Sequence, residues 1–128
     1  HGDSLMEALM DLSTPVIEQN VGKKLWPTYT YFRIYDKGSD LKTHTDREAC
    51  EYTVALCLAL DPTDKPYEIF IGDRDETSDY KYYNSDKELE RLRVDYKFPM
   101  MQNNAVIFKG REKLHWREYC NHDHYMTV

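Results

Sequence analysis

Apolar residues recur at helical spacing only at the start of the chain, at Leu5, Met6, Leu9, Met10 and Leu12. That spacing predicts one helix, and Thr14 followed by Pro15 predicts the cap and first residue of a second, ending near Gly22. From Thr28 the period changes to two. Tyr29, Tyr31, Arg33 and Tyr35 alternate with Thr30, Phe32 and Ile34, as in a strand with one polar-aromatic face. Tyr52 to Leu60 is a nearly unbroken apolar run ended by Asp61-Pro62 and predicts a buried strand; Tyr67 to Ile71 predicts another, ended by Gly72-Asp73. Val94 to Met100, Ala105 to Phe108, Leu114 to Trp116 and Tyr125 to Val128 continue the pattern. Many short strands between turns predict a mainly β domain, a sandwich or barrel. Residues 28–128 form its core, with the helices of residues 1–24 packed on the outer face of a sheet.

Residues 73–97 differ in character. Asp, Glu, Lys, Arg and Tyr dominate, and Ser85 to Arg93 suits a short amphipathic helix with Leu89 and Leu92 inward. The segment reads as a charged, solvated insertion between strands. Its functional alternative is a lid whose contact surface is Tyr80, Lys81, Tyr82 and Tyr83.

Composition narrows the picture. A chain of 128 residues with 41% hydrophobic and 13% aromatic residues supports one folded domain with a real core, near the lower size limit for a β-barrel enzyme. The net charge of −6 disfavours nucleic-acid phosphates as partners. No apolar run matches a membrane span or a signal peptide, and Cys50, Cys57 and Cys120 form neither an even set nor a Cys-x-x-Cys pair. The expectation is a cytoplasmic protein with reduced thiols and no membrane partner. Cys57, inside an apolar strand, reads as a small core residue.

The chemistry concentrates in His44-Thr45-Asp46 and, far downstream, His115. Two imidazoles and one carboxylate hold a metal on one face and leave the other open, as non-haem Fe(II) enzymes require. Zinc with water in the open position uses the same ligand types. On an extended strand, residues i and i+2 point the same way, so His44 and Asp46 can reach one ion. His122 and His124 form a second His-x-His pair, more simply read as exposed histidines.

The segment Arg33-Ile34-Tyr35-Asp36-Lys37-Gly38 through His44-Thr45-Asp46, then Asn103-Asn104-Ala105-Val106-Ile107-Phe108-Lys109-Gly110, then His115, resembles the 2-oxoglutarate- and Fe(II)-dependent dioxygenases, in particular their prolyl 4-hydroxylase-like branch. The resemblance runs from about residue 28 to residue 128. It implies a double-stranded β-helix, a jelly-roll and cupin relative, with His44, Asp46 and His115 as metal ligands and catalytic centre. It also implies Fe(II), 2-oxoglutarate as cosubstrate, ascorbate as an accessory reductant, and succinate and carbon dioxide as coproducts. The substrate is left open between a prolyl residue or other protein group and a small metabolite.

Two positions depart from the family pattern. The basic residue that binds the distal carboxylate of 2-oxoglutarate is expected nine or ten residues past the distal histidine, where this chain has His124 and Tyr125. Arg117, two residues past His115 and of the same strand parity, is the substitute, with Tyr35 and His124 as further cosubstrate contacts. Leu41 stands where a second tyrosine is expected, which weakens the prolyl substrate more than the metal. Two other functions remain open on the residues alone. One is a cupin-like binding domain without catalysis. The other is a zinc-dependent hydrolase, for which Glu112 and Glu118 are the nearby bases, Glu118 being of the wrong parity to face inward.

Overall fold

The computed structural model describes residues 4–75 and 92–128. Among these residues one helix, α1 (Ser4–Val21), precedes eight strands: β1 (Arg33–Asp36), β2 (Leu41–His44), β3 (Thr53–Asp61), β4 (Tyr67–Asp75), β5 (Val94–Met100), β6 (Ala105–Phe108), β7 (Lys113–Arg117) and β8 (His124–Thr127). They form two four-stranded antiparallel sheets, ordered β1-β8-β3-β6 and β2-β7-β4-β5. The pairs β4–β5, β3–β6, β2–β7 and β1–β8 are nested, so the chain runs as one long hairpin folded over onto itself. The result is a mainly β sandwich.

Alternation along β4 shows how sequence sets the layers. Tyr67, Ile69 and Ile71 are buried, while Glu68 and Phe70 between them are only half-buried. Tyr35, Cys57, Leu60, Val106 and Tyr125 from one sheet meet Tyr67, Ile69, Ile71 and Met100 from the other, with Cys120 completing the core. Pro99, which has no N–H to give a ladder, lies on β5 at the edge of its sheet.

The N-terminus differs from expectation. Thr14 and Pro15 do not open a second helix; they lie inside α1. The hydroxyls of Ser13 and Thr14 turn back to the carbonyls of Leu9 and Met10 (2.7 and 2.8 Å), so Thr14 does not cap the residues ahead of it. The helix stops where expected, at Gly22, whose φ of +76° is the left-handed conformation that glycine adopts most cheaply. No residue of α1 is buried; Met6, Leu9, Met10, Ile17 and Val21 are half-buried, whereas Leu5, Leu12 and Val16 are exposed. The helix is a lightly docked element and not a core layer.

The strand expected from Thr28 is short as well. Only Arg33–Asp36 pairs, and Tyr29, Tyr31 and Phe32 are exposed. The charged insertion begins later and ends earlier than 73–97: residues 73–75 extend β4 and residues 94–97 open β5. The Tyr80 to Tyr83 cluster, and the expected helix from Ser85 apart from Leu92 and Arg93, lie outside the described residues. Among the described residues, no helix is long and apolar enough to cross a membrane.

Candidate metal centre

Pairing of β2 with β7 sets His44 directly opposite His115, with their ring centroids 4.3 Å apart. Asp46 comes from just past the end of β2, not from the strand itself, and is held there by its own N–H, which donates to the Gly110 carbonyl at 2.8 Å. Its Oδ1 lies 3.4 Å from His44 Nε2 and 3.3 Å from His115 Nε2. One ligand atom from each residue falls within 4.8 Å of the other two, and both histidines are buried. The three residues singled out in the sequence therefore converge, although the His-x-Asp geometry comes from a strand end and the irregular segment after it.

The imidazoles are oriented by a shared device. His44 Nδ1 lies 2.7 Å from the Lys42 carbonyl and His115 Nδ1 lies 2.9 Å from the Lys113 carbonyl. A carbonyl only accepts, so each Nδ1 carries a hydrogen and each ring is fixed with Nε2 turned toward Asp46. Phe108 packs edge-on against the His115 ring at 4.7 Å. Residue types could not disclose these orienting contacts, since any residue supplies a backbone carbonyl.

Burial pushes the Asp46 carboxyl up, but hydrogen bonds from His115, His44 and Thr53 outweigh it and hold the group well below the usual carboxylate range. It is ionised and so could serve as a metal ligand.

Arg117 follows on the same face of β7 and is 3% exposed. Its guanidinium lies 4.8 Å from the ring centre of Tyr125, 5.0 Å from Tyr67 and 5.4 Å from Tyr35. It donates one long hydrogen bond to the Tyr67 carbonyl, 3.4 Å, and also interacts with the Tyr35 and Tyr125 hydroxyls. Burial pushes up the hydroxyls of Tyr35, Tyr67 and Tyr125, against the pull of Arg117, and likewise the thiols of Cys57 and Cys120. The surrounding groups are thus neutral, and the cation has no counter-anion among them. The buried Tyr125 hydroxyl has no partner at full hydrogen-bond distance among the described residues, its nearest polar neighbours being Arg117 and Cys57.

Tyr35 joins this cluster as expected, opposite Tyr125 across the β1–β8 ladder. Tyr67 and Tyr125 were not among the expected contacts; their only sequence signal is inward parity on their strands. His124 does not join. Its side chain is 66% exposed and pairs with Asp36 at 3.3 Å, because its neighbour Tyr125 takes the inward position. His122, by contrast, is buried with Nε2 on the Lys65 carbonyl, so the two histidines do not form a metal pair. Glu118 is exposed and Glu112 leans toward Lys109 at 3.9 Å, so neither joins the metal cluster. Comparisons with protein-family models, curated proteins and solved structures gave no match.

Proposed function

We propose that this chain is a 2-oxoglutarate- and Fe(II)-dependent dioxygenase built on a double-stranded β-helix. Nested antiparallel pairs in the orders β1-β8-β3-β6 and β2-β7-β4-β5 support that fold, since a hairpin rolled into two facing sheets is the jelly-roll plan. The observation that carries the functional reading is on β7. His115 belongs to the His44–Asp46–His115 cluster, and Arg117, two residues on, is a buried cation without an anion among the described residues.

The residues fit both groups. Two imidazole lone pairs and one ionised carboxylate oxygen are the donor set of non-haem iron. A buried guanidinium and a buried hydroxyl without a full hydrogen bond among the described residues are what a dicarboxylate's far end would satisfy. Tyr125 occupies the position, ten residues past His115, at which the family resemblance expects the cation. Its ring touches Arg117, so β7 delivers the charge to the space that β8 would otherwise supply.

When bound, iron with 2-oxoglutarate and dioxygen supplies oxidative decarboxylation to succinate and carbon dioxide, coupled to hydroxylation of a C–H bond. The protein's own part is positional. His44, His115 and Asp46 would hold the ion, the Lys42 and Lys113 carbonyls turn both Nε2 atoms toward it, and Arg117 would grip the distal carboxylate with its planar fork. Tyr35, Tyr67 and Tyr125 wall that grip off from water, which strengthens it. A zinc hydrolase would need a carboxylate base beside the metal, and the described cluster holds none beyond Asp46. The substrate is a protein group, such as a prolyl residue, or a small molecule.

The test is anaerobic addition of Fe(II) and then 2-oxoglutarate, watching for the weak visible charge-transfer band of the chelate, followed by succinate production in air. A band and succinate that both depend on His44, Asp46 and His115 are expected. Iron binding without any response to 2-oxoglutarate would leave only a metal-binding domain and overturn the proposal.

A further inference from the structure

We infer that Thr53 and Gly110 fix the way Asp46 meets its metal, so that Thr53 is a positioning residue; this rests on the metal reading above. The two oxygens of Asp46 are divided. Oδ1 faces both imidazoles at 3.4 and 3.3 Å, while the Thr53 hydroxyl donates to Oδ2 at 2.5 Å. A hydroxyl this close to an ionised carboxylate makes a strong, charge-assisted bond.

The division matters because Asp46 stands outside the strands, just past β2, and a carboxylate's terminal torsion is soft. Left free, the group could offer both oxygens to the ion and consume an open position, or swing outward; its side chain is 19% exposed. Thr53 prevents both. It is the first residue of β3 and sits opposite Phe108 of β6, the ring that packs on His115, so the hydroxyl is anchored in the same ladder that steadies the distal ligand.

Gly110 closes the device from the other side. A Cβ there would lie 2.1 Å from both Asp46 Oδ2 and Thr53 Oγ1, and 2.9 Å from Thr53 Cβ. Its carbonyl meanwhile receives the Asp46 N–H at 2.8 Å. Only a residue without a side chain lets the backbone hold Asp46 and leaves the carboxylate–hydroxyl bond intact.

The experiment is Co(II) titration of the metal-free protein, read by its visible d–d bands, for wild type, Thr53→Val, Thr53→Ser and Gly110→Ala, with thermal unfolding of each metal-free form. Thr53→Val keeps the shape of the side chain and should weaken Co(II) binding roughly 10–100-fold, the usual cost of losing a contact that orients a ligand. Its d–d spectrum should change as the second oxygen becomes available. Thr53→Ser should restore both affinity and spectrum, and Gly110→Ala should weaken binding as Thr53→Val does. Wild-type affinity and spectrum in Thr53→Val would overturn the role of Thr53 while leaving the metal centre standing. A Thr53→Ser variant as weak as Thr53→Val would also overturn it, since packing and not the hydroxyl would then be at work. Absence of Co(II) binding in wild type would overturn both readings.

Discussion

Replacing Arg117 with methionine separates a structural cation from one kept for a ligand. The side chain is 3% exposed, and its partners among the described residues are three neutral tyrosines and the Tyr67 carbonyl at 3.4 Å. Each cation–π contact contributes about 0.5–2 kcal/mol. Against them stands the desolvation of a buried ion, on the order of several kcal/mol. The two sides nearly cancel, so the metal-free, ligand-free variant should unfold within about 1 kcal/mol of wild type, or roughly 4 °C for a domain of this size. Cosubstrate binding should respond very differently. Removing one partner of a buried charge pair costs about 2–5 kcal/mol, a loss of roughly 30- to 4,000-fold in affinity for 2-oxoglutarate. Thermal unfolding, with and without 2-oxoglutarate in the presence of Mn(II), reads both quantities. Wild type should gain stability on adding the cosubstrate; Arg117→Met should gain almost none while still binding Mn(II). Arg117→Lys should recover part of the gain, because a point charge cannot reproduce a two-pronged contact. A ligand-free Arg117→Met protein destabilised by about 3–5 kcal/mol would refute the reasoning, since that is the signature of breaking an internal buried ion pair.

Alanine at His44, Asp46 or His115 should abolish Co(II) or Fe(II) binding in titration, with the far-ultraviolet circular dichroism unchanged; full binding in all three would remove the metal centre. Asp46→Asn tests the depressed carboxyl. Its folded pKa lies below the ordinary 3.8, so its charge contributes stability that is fully present above that value and lost as pH falls through the folded pKa. Denaturant unfolding of the metal-free proteins should therefore show Asp46→Asn weaker than wild type at neutral pH, with the gap closing in acid; a gap independent of pH would contradict the assignment. Leu114, fully buried on β7 between the residues that carry His115 and the Lys113 carbonyl, should cost about 2–5 kcal/mol as Leu114→Ala. Leu12→Ala on the exposed face of α1 should stay within about 0.5 kcal/mol, and a larger loss would mean that the helix is a core layer after all.

The eight strands were largely legible in the sequence because period-two alternation is a local property. Tyr67, Ile69 and Ile71 declare an inward face whatever lies opposite. The three residues that could hold a metal ion were legible as an ordered set: His-x-Asp alone says little, and the segments around it and before His115 made the pattern specific. What the sequence could not carry was anything decided by a partner from another strand. Whether Thr14-Pro15 starts a helix or lies within one depends on where the Ser13 and Thr14 hydroxyls turn, and both turn backward. His124 and Tyr125 are adjacent, and only the pairing of β8 with β1 and β3 decided that the tyrosine faces Arg117 and the histidine faces water. The hydroxyl of Thr53, the bare backbone of Gly110 and the carbonyls of Lys42 and Lys113 carry no chemistry of their own in a one-dimensional reading. They acquire a role only because nested antiparallel pairing brings residues 42–53 against residues 108–115. Residue type set which atoms could bind a metal, and the long-range ladder decided which oxygen and which nitrogens face one another.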